Sequence, residues 1–257
     1  MRTIHHNRKI PQALILAFAL VGFSSIPAMA QKTIKVSGSV PFKEQYFDPH
    51  LQEIKEKTKL NVEVIGNGTD RGIADVIEGR ADVAMLAAPL ADVAKKMNEK
   101  KPGYVDASKF TEIKIGESEI VFIVNAANTV KALTAAQATA LLTGSIKNWK
   151  EVGGADLPVV VAIAMPGNGI RTTIEKQLLK DAKIVADARQ VTNPTQVATV
   201  IGQLPGGFGP LGKSMLDAKM TVLKLSDKKI TAPLILMSKG EPSADILALI
   251  KQLKTYN

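Results

Sequence analysis

Three times along this chain a short apolar run ends in a turn of small residues and hands over to an amphipathic stretch: at 38–40, at 66–72 and at 167–171. The third is the most complete. An apolar run over 157–165 reads as a buried strand, and Ile170, Ile174 and Leu178 follow at i, i+4 and i+8, the spacing of one helix face. The turn between them, Pro166-Gly167-Asn168-Gly169, therefore opens a helix N-terminus. Such a turn presents unpaired backbone N–H groups and the positive end of the helix dipole. Both favour a bound anion. One such turn alone is an ordinary strand–helix connection. Three in one chain argue for an anion clasp, because in open α/β sheets ligands lie beyond the carboxyl ends of strands.

The rest of the pattern agrees with an α/β fold. Strands are expected over 32–40, 61–65, 82–88, 111–115, 119–124, 157–165, 184–192, 221–225 and 234–237. The run at 82–88 is almost continuously apolar, which suits a parallel sheet covered on both faces. Helices fall between these runs, so the sheet is expected to be mostly parallel. The first helix buries Phe47, Leu51 and Ile54. It starts either at Asp48-Pro49, an N-cap and first-turn proline, or near Lys43 with a bend at Pro49. Thr69 or Asp70 caps the next helix, whose face is Ile73, Val76 and Ile77 and which Gly79 closes. A polar helix over 91–101 follows, then one capped by Thr134. Asn148-Trp149-Lys150 is a tight turn, Asn193-Pro194 opens another helix, and 205–211 is short and glycine-rich. Ile246, Leu249, Ile250 and Leu253 mark the buried face of a last helix.

The N-terminus limits where the protein works. Arg2, Arg8 and Lys9 precede an apolar stretch at 13–23, and Ala28-Met29-Ala30 has the small-x-small pattern of a cleavage site. Residues 1–30 read as a signal peptide, with an apolar run too short to span a bilayer. Export to the periplasm as a soluble protein is expected. Those three cations are part of the +9 net charge, leaving +6 on residues 31–257. That excess suits an anionic partner. With seven Phe, three Tyr and one Trp, a base-stacking surface is not expected, and no nucleic-acid role is read. There is no cysteine, and His50 is the only histidine beyond the signal. A zinc site and a Ser-His-Asp arrangement are both disfavoured. His50 is expected to be a solvated surface residue. No cofactor and no metal are expected.

The loops resemble those of the periplasmic phosphate-binding proteins of ABC transporters, and the likeness runs in order along nearly the whole of 31–257. Val36-Ser37-Gly38-Ser39 resembles the first anion loop and Ile65-Gly66-Asn67-Gly68 the second. Ala81-Asp82-Val83-Ala84 and Ala88-Pro89-Leu90 resemble the strand after it. Gly144-Ser145-Ile146-Lys147-Asn148-Trp149 is similar to the family's Gly-x-Ile-x-x-Trp turn, the most specific of these matches. Gly167-Asn168-Gly169-Ile170-Arg171 resembles its Gly-Ser-Gly-Thr-Arg loop, and Pro205-Gly206-Gly207-Phe208-Gly209 its Pro-Gly-x-Ile-Gly-Tyr strand. The segments Pro233-Leu234 and Lys239-Gly240-Glu241-Pro242 resemble the strand and turn before its last helix.

The resemblance implies a two-lobed type II periplasmic binding fold, each lobe a mostly parallel sheet flanked by helices. Lobe 1 would comprise 31–118 with 228–257, and lobe 2 119–227. It implies hinge closure over an oxyanion, no enzymatic activity, a monomer, and an inner-membrane ABC permease as partner. The ligand set carried over is Ser39 and Val40 from the first loop, Gly68 or Thr69 from the second, and Asn168, Gly169 and Arg171 from the third. Arg71 has no counterpart in the family and would supply a replacement charge. Asn168 and Ile170 replace hydroxyl residues. Ala87 stands where the family has an acidic residue, and Ala164 where many members have an arginine. Charge-assisted hydrogen bonds contribute about 1.5–3 kcal/mol each. Their loss implies weakened phosphate binding unless Arg71 and Asn168 compensate. The alternative is a sensor or accessory envelope protein of the same fold. An exported hydrolase is the third reading, with Ser37, Ser39, Thr172 and Thr173 as its nucleophile candidates and no evident base.

Overall fold

Ile34 and Val36 point one way and Thr33 and Lys35 the other, and this alternation lays β1 (Thr33–Gly38) flat between two parallel neighbours. The computed structural model describes residue 3 and residues 32–180, 182–218 and 220–256. The signal-peptide reading of 1–30 lies outside the described residues apart from Thr3. Residues 31–257 form one compact unit.

After β1, α1 (Val40–Phe42) runs into a π-helical turn over Lys43–Phe47, and α2 (Leu51–Thr58) follows. Next come β2 (Asn61–Gly66), α3 (Thr69–Ile77), β3 (Val83–Leu86) and α4 (Leu90–Lys100). β4 (Phe110–Val124) leads to β5 (Ala132–Leu133), α5 (Ala135–Thr143) and β6 (Val160–Ala164). α6 (Gly169–Ile174) continues as a π-helical turn over Glu175–Leu179. β7 (Arg189–Val191), α7 (Thr195–Gln203), β8 (Gly207–Gly212), β9 (Thr221–Leu225), β10 (Ile230–Lys239) and α8 (Ala244–Leu253) complete the order.

The strands lie in the order β2-β1-β3-β10-β4-β8-β6-β7, with β9 joining β4 and β5 at the side. Both flanks are parallel, β2-β1-β3 and β8-β6-β7. The centre is antiparallel, because β10 and β4 run against their neighbours and each other. The expected α/β fold with parallel sheets on each side is therefore present. The two halves are joined through β4 and β10. Residues 110–120 of β4 pair along the whole of β10, while 120–124 pair with β8. This is the two-lobed arrangement.

The expected pair of strands at 111–115 and 119–124 is one strand of 15 residues. Gly116-Glu117-Ser118 looks like a break in sequence, but β10 pairs across it. Leu234 faces Gly116 and Ile235 faces Lys114, a register step that lets the long ribbon bend without parting. Alternation along β3 explains the near-continuous apolar run. Val83 and Met85 enter the larger core, whereas Ala84 and Leu86 enter a second core beneath α3 and α4. The short glycine-rich segment at 205–211 yields β8, every residue of which is buried. Its Phe208 stacks on Phe122 at 4.9 Å and meets Trp149 edge-on at 5.9 Å.

Other expectations shift. The strand over 157–165 shortens to β6, and that over 184–192 shrinks to the three residues of β7, whose polar positions have little to bury. The first helix starts at Val40 and breaks at Asp48-Pro49, closer to the bent alternative. His50 is half-buried rather than solvated, with its ring stacked on Tyr256 at 3.8 Å. Among the described residues, no helix is long and apolar enough to cross a membrane.

Candidate functional site: a seam of three glycine turns

The first turn is built onto the end of β1. Ser39 N–H donates to the Met85 carbonyl at 2.8 Å, and Ser39 Oγ accepts from Phe42 N–H at 3.3 Å. Ser39 is thus the N-cap of α1 and is 2 % exposed. Val40 begins that helix and packs into the core.

The second turn is tied to the first. Asn67 and Gly68 N–H groups both donate to the Gly38 carbonyl, at 2.9 and 2.8 Å. Asp75, nearly two turns into α3, holds both loops: Ser37 Oγ donates to its Oδ2 at 2.5 Å and Asn67 Nδ2 at 3.0 Å, and Arg80 Nε reaches Oδ1 at 2.8 Å. Burial pushes the Asp75 carboxyl up, but these three donors outweigh it and hold it below the ordinary carboxylate value.

The third turn closes on the second. Asn168 Oδ1 accepts from Ile170 and Arg171 N–H groups and so caps α6. Its Nδ2 lies 3.7 Å from where a Cβ on Gly68 would sit. Gly169 packs directly on the other side: a Cβ there would lie 2.6 Å from Thr69 Oγ1 and 2.8 Å from Ala87 Cβ. Only glycine permits that approach. Thr69, 1 % exposed, accepts from Ala87 N–H at 3.1 Å, and Thr173 Oγ1 donates to the Ala87 carbonyl at 3.1 Å. Lys176 of the π-helical turn also bridges to Asp92 of α4 at 2.7 Å.

Gly68, Thr69, Asn168 and Gly169 therefore meet at one seam, with Ser39 and Val40 behind it at the end of β1. The two arginines of the expected set are elsewhere. Arg171 is 9 % exposed, with Nε on Glu175 at 2.8 Å and Nη1 on the Ala164 carbonyl and Gln190 Oε1, both at 3.1 Å. It fastens α6 to the ends of β6 and β7. Arg71 is exposed and lines a side cavity of about 240 Å³ with Asp70, Lys96, Lys100, Lys101, Tyr104 and Pro166.

Asp70, expected as an alternative to Thr69 for the cap of α3, also stands at this seam. Its Oδ1 is 3.2 Å from the Cβ position of Gly68, and its Oδ2 is 3.4 Å from that of Gly167. Both glycines have positive φ, 108° and 98°, where a side chain would be strained. Burial raises the Asp70 carboxyl above its ordinary value, against the N–H groups of Arg71 and Asp70 itself and the charges of Arg71 and Lys100. The signal in the sequence was an acidic residue placed immediately after a glycine anion turn.

A family model described as a PBP superfamily domain matches residues 24–238. The chain belongs to the PBP superfamily. A curated relative, phosphate-binding protein PstS of Bacillus subtilis (strain 168), is 26% identical over 201 residues, covering 78% of this chain. The match spans 64% of that relative's length. Two solved structures share the PBP fold. One, described as a phosphate ABC transporter substrate-binding protein with bound phosphate from Clostridium perfringens, has a TM-score of 0.72 at 22% identity, covering 86% of this chain and 92% of the other. The other, an ABC-type phosphate transport receptor from Vibrio cholerae, has a TM-score of 0.61 at 20% identity, with 88% and 96% covered.

Proposed function

We propose that this chain is an exported solute-binding protein that takes a small oxyanion, phosphate foremost, between its lobes and delivers it to an ABC importer. The observation that carries this reading is the convergence of the turns after β1, β2 and β6 on one seam, where Gly68 meets Asn168 and Thr69 meets Gly169. Strand-end turns with helix N-termini are built to receive anions. The likeness to a phosphate-binding relative supports the ligand class. In this reading the lobes are 31–118 with 228–257 and 119–227, hinged at β4 and β10. The protein acts as a monomer outside the cytoplasm, after removal of 1–30, with a membrane permease as its partner and no catalytic step of its own.

A thermal-shift screen of the purified chain tests it, with phosphate, sulfate, molybdate, phosphonates and small carboxylates. A ligand at 100 times its Kd stabilises by about 2.7 kcal/mol. A shift with phosphate is expected. No shift with any anion sinks the transport reading.

One observation favours a second reading, in which the protein is a sensor or accessory envelope component with altered ligand binding. Arg171 is committed to Glu175, Ala164 and Gln190, and the Ala87 peptide is held by Thr69 and Thr173. Sub-micromolar phosphate affinity by calorimetry would argue against it.

A further inference from the structure

A cavity of about 620 Å³ opens between α4, α6 and the segment 180–184, and none of the seam's Gly68, Thr69, Asn168 and Gly169 lines it. Six cations line it against two carboxylates, Asp92 and Glu175. Both carboxylates are already taken: Lys176 Nζ holds Asp92 at 2.7 Å, and Arg171 Nε holds Glu175 at 2.8 Å. Lys96 has only Glu99, at 3.8 Å. Among the described residues, Lys95, Lys180 and Lys183 make no ion pair. Like charges gathered this way raise one another's cost of ionisation unless an anion offsets them. The wall also holds an unmet hydroxyl. Thr172 is 5 % exposed, and its Oγ1 has no hydrogen-bond partner. A helical threonine can bond the carbonyl four residues back, but here the Asn168 carbonyl takes the Thr172 N–H, at 2.8 Å, and not its hydroxyl. Buried polar groups are paired as a rule, so Thr172 has a donor left for a ligand.

We propose that this cavity is a second anion site, separate from the seam, for a compact polyanion of linked phosphoryl groups such as a condensed phosphate. Its size argues for more than one group, because pockets of about 300–1,000 Å³ hold ligands of many atoms. Its chemistry argues against an organic body: Ala182 and Ile184 are the only apolar residues among the described lining. Buried Arg171 and Thr172 contribute a fixed charge and a free hydroxyl. The lysines of α4 and of 180–183 add mobile point charges that can follow a chain of phosphoryl groups. Because α4 and α6 both supply walls, already joined by Lys176 and Asp92, the occupant bridges the two helices.

Calorimetry on the purified chain at low salt tests this with tripolyphosphate, and with orthophosphate alongside. Wild type is compared with Thr172→Val, with Lys180→Gln plus Lys183→Gln, and with Lys55→Gln plus Lys57→Gln on α2 as a charge control. Wild type and the α2 control are expected to bind tripolyphosphate alike. Loss of the cavity lysine pair should weaken it at least about tenfold. Thr172→Val should weaken it about three- to tenfold. That variant should not lower the melting temperature of the free protein, because its hydroxyl has no partner to lose. Neither cavity variant should change orthophosphate affinity. No tripolyphosphate binding by wild type, equal binding by the folded cavity variants, or an equal loss in the α2 control overturns the site. Absence of orthophosphate binding, with the tripolyphosphate pattern intact, supports this site and counts only against the transport reading.

Discussion

Thr173 donates its hydroxyl to the carbonyl of Ala87 across 3.1 Å, joining α6 to the end of β3. The N–H of Ala87 donates to Thr69 Oγ1 at 3.1 Å. At the position where the resembling family has an acidic side chain, this protein has an alanine whose flanking peptide groups are each held, one through its N–H and the other through its carbonyl. The clamp suits a side chain no larger than alanine, because Gly169 packs against the Ala87 Cβ. Thr69→Val leaves the buried Ala87 N–H without its acceptor, and stability should fall by about 1–3 kcal/mol. Thr173→Val removes a donor and should cost about 0.5–1.5 kcal/mol. Urea denaturation of the two variants checks the order.

Gly169→Ala tests how tightly the second and third turns meet. The added methyl would lie 2.6 Å from Thr69 Oγ1 and 3.0 Å from the Ala87 carbonyl carbon, and backbone yields less readily than a side-chain tip. The loops should part, lowering stability by about 1–3 kcal/mol and enlarging the particle in small-angle scattering. An unchanged scattering profile with wild-type stability would show that the seam tolerates the methyl.

Two carboxylates on α3 should give opposite pH signatures. Asp75 is held below its ordinary value, so the stability it contributes is present above its unfolded pKa and lost as pH falls through the folded one. Asp70 is raised, so its contribution is complete below the unfolded value and lost as pH rises through the folded one. Asp75→Asn should flatten the acid limb of a stability–pH curve, whereas Asp70→Asn should flatten the decline above it. Matched slopes in both variants would contradict this assignment.

Trp149, the only tryptophan, reports on one half of the sheet. It is 1 % exposed, donates through Nε1 to the Gly206 carbonyl at 3.0 Å, and meets Phe208 of β8 edge-on. Its emission should be blue-shifted and resistant to iodide until β8 unfolds. Trp149→Phe removes one of two donors to the Gly206 carbonyl, which keeps the Val160 N–H at 2.9 Å, and should destabilise by about 0.5–1.5 kcal/mol.

Much of this was legible in the residues. Thr134, expected as a cap, does cap α5, in a capping box with Gln137. Strand-to-helix turns at 38–40, 66–72 and 167–171 sit beyond the ends of β1, β2 and β6. These are local matters of hydrogen-bonding side chains, glycine and apolar period, which a chain carries in its order. The single long β4 was not legible, because Gly116-Glu117-Ser118 is held in a strand by β10, more than a hundred residues away.

The sequence by itself determined the α/β alternation, the Thr134 cap of α5 and the three turns fit to face an anion, but not the start of α1 at Val40 or the bare Gly68 cap of α3. Tertiary structure decided which side chains stand at that seam. Arg171 lies two residues beyond Gly169 in the chain, yet its guanidinium turns back to the Ala164 carbonyl and Glu175. Asp70, read as a cap, reaches Gly167 of the third turn. Direction is set by the nearest partner able to satisfy a buried charge, and that partner is known only when the distant segments have packed.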